Sequence, residues 1–258
     1  MDIRSELTQH LKELHLPTFR ADFEDAARFA EQESLTYEQY LLELSIKECE
    51  ARRQRRIERY LRESCLPFEK TMDVFDLKRL PQKVVHQVNH LLEGFFLDKT
   101  ENVLAFGNPG TGKTHLLCAI AHALIHKGRR IYFTKCAFLV QKLLAAKKEL
   151  RLAQELKKMN KFDAVVIDDI GYVQQNQQEM EILFTFLAER YERGSVMITS
   201  NLPFSKWERI FKDPMTTAAA IDRVVHHSVI LELNIPSYRM ERANKTKHTD
   251  AGNKRVEK

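Results

Sequence analysis

Long apolar runs are missing from this sequence, and no stretch of its 258 residues approaches the roughly 20 apolar residues of a membrane-spanning helix. The amino terminus is charged and carries no apolar leader core, so no membrane partner is expected. Cysteine is scarce as well. Cys49, Cys65, Cys118 and Cys136 form no C-x-x-C pair, which argues against a disulfide framework and is the usage of a reducing, cytoplasmic setting. Turn formers are nearly absent from the first 62 residues, which hold no glycine and a single proline, Pro17, so this region offers no strand-and-turn pattern. What remains is 43% hydrophobic and 30% charged, a globular composition. A net charge of +5 permits nucleic acid as a partner without requiring it, so the distribution of basic residues matters more than their sum. The length suffices for one α/β core and a second, smaller module.

That smaller module is residues 1–65. Leu7, Leu11 and Leu14 recur at helical spacing, Phe19 and Phe23 continue on a second segment, and Tyr37 to Leu44 on a third, with Thr36 placed to cap it. The last helix carries Arg52, Arg53, Arg55, Arg56, Arg59 and Arg62. Arginines recurring at i, i+3/4 and i+7 share a face, and their planar forks suit phosphate oxygens. A solvated helix balanced by Glu48, Glu50, Glu58 and Glu63 is the alternative. Residues 66–80 have no clear period and read as a linker, and a helix over 81–95 follows.

The chemistry concentrates in Gly107-Asn108-Pro109-Gly110-Thr111-Gly112-Lys113-Thr114, which follows the apolar run Val103-Leu104-Ala105-Phe106 and opens into the helical Leu116-Leu117-Cys118-Ala119. Glycines let successive backbone N–H groups turn toward one anion, and the helix start adds its unpaired amides and positive dipole end. In a G-x-x-x-x-G-K-[ST] loop the lysine, here Lys113, reaches the β/γ-phosphates of ATP, and the hydroxyl, here Thr114, holds Mg²⁺.

A strand is expected at 131–134, and a second basic stretch follows. Residues 137–161 carry Lys142, Lys147, Lys148, Arg151, Lys157, Lys158 and Lys161 against Glu149 and Glu155, enough to hold a nucleic-acid backbone unless the pair of helices is simply solvated. Ala164-Val165-Val166-Ile167-Asp168-Asp169 then reads as a buried parallel strand delivering carboxylates to the carboxyl edge of a sheet, Asp168 for Mg²⁺ and Asp169 for the attacking water. Val196-Met197-Ile198-Thr199 is a fourth strand with Asn201 at its end, and Val229-Ile230-Leu231-Glu232-Leu233 a fifth. Trp207 reads as a packing anchor, and residues 241–258 as a disordered tail.

In this order, these residues resemble the AAA+ branch of P-loop ATPases, and within it the IstB/DnaC-like group. The resemblance rests on 107–116 with His115 after the loop, Val166-Ile167-Asp168-Asp169-Ile170-Gly171, Thr199-Ser200-Asn201-Leu202-Pro203-Phe204, Asp222-Arg223 and Ser237-Tyr238-Arg239. It implies an α/β core over 81–240, a parallel five-stranded sheet flanked by helices, with a small all-helical amino-terminal domain; in a departure from the family pattern, too little chain follows the last strand for the usual helical lid domain, so no carboxyl-terminal lid is expected. It further implies that Asn201 senses the γ-phosphate, that Arg223 is a finger given to a neighbouring copy, and that Arg239 reaches its own nucleotide. Phe75 falls where the adenine packs. The function implied is an ATPase that assembles as a homo-oligomer on double-stranded DNA, with ATP at subunit interfaces, and assists the transposase of an insertion sequence. A helicase loader acting in replication is the alternative.

Overall fold

The computed structural model describes residues 2–171, 176–211, 213–238 and 240–241, Arg209 by its backbone alone. Two compact units divide the chain, Met1–Arg59 and Tyr60–Lys258. Of the disordered tail expected at 241–258, Glu241 is ordered, its N–H bonding Ser237 O and its carboxylate pairing with Arg79, and residues 242–258 lie outside the described residues.

The first unit is helical, as its lack of turn formers requires. It comprises α1 (Ile3–Glu13), α2 (Pro17–Gln32) and the part of α3 (Tyr37–Ser64) that precedes the unit boundary. Pro17 opens α2, where its missing N–H costs nothing. Thr36 Oγ1 accepts from the Gln39 N–H at 3.3 Å while Gln39 Oε1 accepts from the Thr36 N–H at 2.8 Å, a reciprocal cap. Inside the unit, the charged Glu48 is 2% exposed. Burial works against its charge, yet hydrogen bonds from Arg52 Nε at 2.7 Å and the Thr18 N–H at 2.8 Å outweigh it and hold the carboxyl below its ordinary 4.5.

The second unit is built on five parallel strands: β1 (Asn102–Phe106), β2 (Ile131–Lys135), β3 (Ala164–Asp168), β4 (Ser195–Ser200) and β5 (Ser228–Glu232). Their order in the sheet is β2-β3-β4-β1-β5. All of β3 and β4 is buried, the environment that an uninterrupted apolar run demands. The helices covering the sheet include α4 (Gln82–Glu93) with α6 (Lys113–His126), and α7 (Cys136–Lys148) and α11 (Pro214–Val225), each beside α9 (Gln177–Arg190). Two short helices, α5 (Phe95–Asp98) and α10 (Glu208–Phe211), and the basic α8 (Leu152–Met159) complete the set. Trp207 is fully buried and bonds Leu202 O through its indole N–H, the anchor expected of it. No helix among the described residues is long and apolar enough to cross a membrane.

At the amino ends of the central strands, Arg190 serves as a polar hub. Its two terminal nitrogens donate to the carbonyls of Met159, Phe162, Asp163 and Ser195 at 2.8–3.2 Å. Burial pulls its pKa down to about 10, with Asp163 opposing, so the guanidinium stays charged at neutral pH. None of the four cysteines is in a disulfide: Cys49 and Cys65 are exposed, Cys118 and Cys136 buried, and burial pushes the Cys118 thiol up to about 12.

Candidate nucleotide site

The phosphate loop lies between β1 and α6. Gly110 and Gly112 hold φ of 84° and 93°, conformations that side-chain-bearing residues rarely adopt, and Gly112 caps α6 so that its first amides open onto the loop. Lys113 is 6% exposed, and its ammonium donates to Gly107 O at 2.8 Å and Asn108 O at 3.0 Å. The cation therefore sits within the loop. Asn108 and Pro109 form its exposed rim, while Thr111 is buried and closes the turn by donating to Asn108 O at 2.9 Å.

Beside it, the Thr114 hydroxyl donates to Asp168 Oδ1 at 2.6 Å, joining the loop to the end of β3. The Thr199 hydroxyl donates to the same oxygen at 2.7 Å and accepts the Asp169 N–H at 2.8 Å. Thr199 thus orients the Asp168 carboxylate and fixes the Asp169 backbone. Asp169 has φ 59°, a left-handed turn that leads the chain off the strand, which aspartate tolerates better than most residues. Because β4 lies between β3 and β1, Asn201 just beyond β4 stands between the acids and the phosphate loop. Its amide packs over Gly171, where an added Cβ would come within 2.9 Å of Asn201 Oδ1.

Two further segments border the loop. From the linker, the Phe75 ring packs 3.2 Å from the place a Cβ on Gly112 would occupy and edge-on to His115, at 5.2 Å between centroids. His115 Nε2 bonds Thr71 O at 3.1 Å, so this residue faces the linker. His122 likewise bonds Pro67 O at 3.0 Å. On the other side, Leu233 N–H donates to Phe106 O at 2.8 Å and Tyr238 N–H to Gly110 O at 3.0 Å. Arg239 lies outside the described residues.

Arg223 is elsewhere. It projects from α11, its guanidinium 4.9 Å over the Phe184 ring and bonded to Ala219 O at 3.2 Å, in a cleft lined by Thr100, Asn102, Val196 and His227. Those residues mark the amino ends of the strands, opposite the phosphate loop.

The basic residues of the two stretches are exposed, and several of them also make contacts within the protein. Arg52 and Arg55 were expected along a phosphate-facing stripe. About half exposed, Arg52 also bonds Glu48 and His15 O, and Arg55 reaches Thr18 Oγ1 at 3.3 Å, so both fasten the junction between α1 and α2. Helical periodicity alone could not reveal this, because the buried Glu48 that draws them is a tertiary feature. Arg53, Arg56 and Arg59 are exposed. Around α8, Lys158 and Lys142 both pair with Glu155, Arg151 pairs with Glu149, and Lys147 lies 4.0 Å from Glu181. Lys148 and Lys157 are exposed.

A ring of backbone amides, one buried ammonium, a hydroxyl and two carboxylates converge at the carboxyl edge of the sheet, a complement to a polyphosphate. The Thr114 and Asp168 oxygens are hard donors suited to Mg²⁺. Sequence reasoning missed Thr199, whose hydroxyl becomes legible only once β4 is known to neighbour β3.

Known proteins resemble this chain over most of its length. Residues 9–246 match the model of the family described as IstB-like ATP binding protein. An insertion-sequence ATP-binding protein of Sinorhizobium fredii is 42% identical over 92% of this chain and 80% of its own length. The insertion sequence IS21 ATP-binding protein of Pseudomonas aeruginosa is 33% identical over 93% of this chain and 91% of its own. Among solved structures, AMPPCP-bound DnaA from Aquifex aeolicus (TM-score 0.54, 19% identity, 66% of this chain and 51% of that one) shares the fold. So does the DnaC helicase loader (TM-score 0.52, 21% identity, 66% and 98%). With its phosphate loop, its parallel sheet and these relatives, the chain belongs to the IstB-like ATP-binding proteins and is an ATPase of the AAA+ fold.

Proposed function

We propose that this ATPase assembles as a homo-oligomer on double-stranded DNA with ATP at subunit interfaces, and that it presents target DNA to the transposase of its insertion sequence. The observation carrying this reading is the distance between two halves of one chemistry: phosphate groups at the carboxyl edge of the sheet, Arg223 at the amino edge. A finger arginine so placed serves the γ-phosphate of another copy. The transposase assignment is supported by the insertion-sequence names of the relatives.

In this reading Lys113 leaves the carbonyls of Gly107 and Asn108 to bind the β/γ-phosphates, and loop amides from 107–114 wrap them. Thr114 and Asp168 would hold Mg²⁺, which supplies charge neutralisation on the phosphates. Asp169, its backbone fixed by Thr199, orients water for attack on the γ-phosphorus, Asn201 bonds the γ-phosphate region, and ADP and phosphate leave. Arg223 from the neighbour stabilises the developing charge, and Arg239 reaches the nucleotide of its own chain. Phe75 and His115 border the base. DNA contact falls to Lys147, Lys148, Arg151, Lys157 and Lys158, together with Arg53, Arg56 and Arg59.

A complementation assay tests the assembly. Arg223→Ala and Lys113→Ala are each inactive alone, and mixing them with DNA restores hydrolysis, since some interfaces then combine an intact loop with an intact finger. Electron microscopy with an ATP analogue and duplex DNA shows multimers on the duplex. No recovery on mixing, or monomers that leave DNA unbound, refutes the reading. The tethering of Arg52 and Arg55 favours a narrower alternative, an adaptor module that grips protein, as in a helicase loader. Under that alternative Arg53→Ala/Arg56→Ala leaves DNA affinity and its salt dependence unchanged; under the main reading both fall.

A further inference from the structure

The segment that follows Glu232, the end of β5, does not leave the nucleotide site. It crosses the phosphate loop. Leu233 bonds the end of β1, and Ser237 packs against Gly110 so closely that an added Cβ there would collide with its Oγ. Tyr238 N–H holds Gly110 O, and Glu241 N–H closes a helical turn on Ser237 O at 3.1 Å.

One side chain from the opposite bank grips this segment at three points. Arg79 ends a 3-10 turn, Leu77–Arg79, which the Asp76 carboxylate caps by accepting the Lys78 N–H. Its guanidinium donates to Pro236 O at 3.2 Å and to Glu241 Oε2 at 2.8 Å, and it lies 5.2 Å over the Tyr238 ring. At 21% side-chain exposure it is largely withdrawn from water. The planar guanidinium lies over an aromatic face while its edge donates to a carbonyl and a carboxylate, a flat geometry that a tetrahedral ammonium does not reproduce. The stretch that carries Arg79 also carries Phe75, which packs on Gly112. Arg79 therefore ties the two strips of chain that border the phosphate loop to each other.

We propose that Arg79 is a positioning residue for the nucleotide site. It latches Pro236, Tyr238 and Glu241 beside the phosphate loop by one carbonyl bond, one ion pair and one stacking contact, and so it sets how fast nucleotide leaves. Arg79 touches no phosphate; it acts through Tyr238 and Gly110.

The test uses the full chain with Arg79→Ala, Arg79→Lys and the charge exchange Arg79→Glu/Glu241→Arg. Two readouts are taken: amide hydrogen exchange over 236–241 without nucleotide, and stopped-flow dissociation of a fluorescent ATP analogue. Arg79→Ala raises exchange at the Tyr238 amide and speeds dissociation about tenfold, the size expected for losing a charge-assisted pair that is mostly shielded from water. KM rises while kcat changes little. Arg79→Lys is intermediate, and the charge exchange recovers part of the slow dissociation. A variant that exchanges and releases nucleotide like the parent overturns the latch, as does one whose melting point and kcat fall while its dissociation rate stays fixed. If the parent itself bound no ATP analogue, the nucleotide assignment would fall while the exchange readout still judged the latch.

Discussion

Replacing Thr199 with valine isolates a single hydroxyl at the heart of the site. The two side chains are nearly the same shape, and position 199 is fully buried, so packing is preserved and solvent cannot substitute for the lost group. What is lost is one donor to Asp168 Oδ1, at 2.7 Å, and one acceptor for the Asp169 N–H, at 2.8 Å. A hydrogen bond to a charged group is worth about 1.5–3 kcal/mol, and stranding a shielded N–H adds about 1 kcal/mol or more, for a total near 3 kcal/mol. In a unit of this size that lowers the melting midpoint by about 10 °C. The effect on hydrolysis is separate. Asp169 loses the contact that fixes its backbone, and a misplacement of about 1 Å at a reacting group costs about 10²-fold, so kcat falls by about 10- to 100-fold with nucleotide binding largely kept. Thr199→Ser, which keeps the hydroxyl, stays within about threefold of the parent. Calorimetry and a phosphate-release assay read the two effects. A valine variant that melts and turns over like the parent refutes the claim that Thr199 orients Asp168 and fixes the Asp169 backbone.

Gly110→Ala abolishes nucleotide binding measured by titration calorimetry, since φ is 84° and the new methyl meets Ser237 Oγ. Adding Ser237→Gly recovers part of the binding, because the clash is relieved and the backbone strain of about 1–2 kcal/mol remains. Arg190→Met lowers the urea midpoint of the chain by at least about 3 kcal/mol of stability, and Arg190→Lys does not rescue it, because four carbonyls require the fork. Glu48 makes the first unit sensitive to acid. Its folded pKa is below the ordinary 4.5, so its contribution is complete above that value and is lost as pH falls through the folded pKa. Circular dichroism melts from about pH 6 to about pH 3 show this loss in the parent, and Glu48→Gln starts less stable and flattens the dependence.

Much of the fold was legible because local signals and the final structure agree. The run 164–168 could be little but a covered parallel strand, and the glycine loop followed by 113–126 fixed the site at the carboxyl edge. Thr36 was readable as a cap, since capping is decided within four residues. Strand order was not legible, and it alone places Thr199 against Asp168 and Asn201 between the acids and the loop. The packing of the linker was not legible for a related reason. Residues 66–80 lack a period because they are laid down along α6, held by His115 and His122 through backbone carbonyls that no pattern of side chains encodes. What periodicity on α3 could not reveal is that a buried carboxylate, Glu48, draws Arg52 and Arg55 toward it, although both stay half exposed.

The distribution of thiols makes the parent protein its own spectroscopic probe. At neutral pH a thiol raised to about 12 is almost never a thiolate, so Cys118 stays silent toward maleimides, and burial shields Cys136. Cys49 and Cys65 are exposed, one in each compact unit. Cys49 lies within α3 and Cys65 directly follows it, so a donor and an acceptor dye attached at these two native positions report whether that helix stays continuous as ATP and DNA are added, with no residue of the chain replaced.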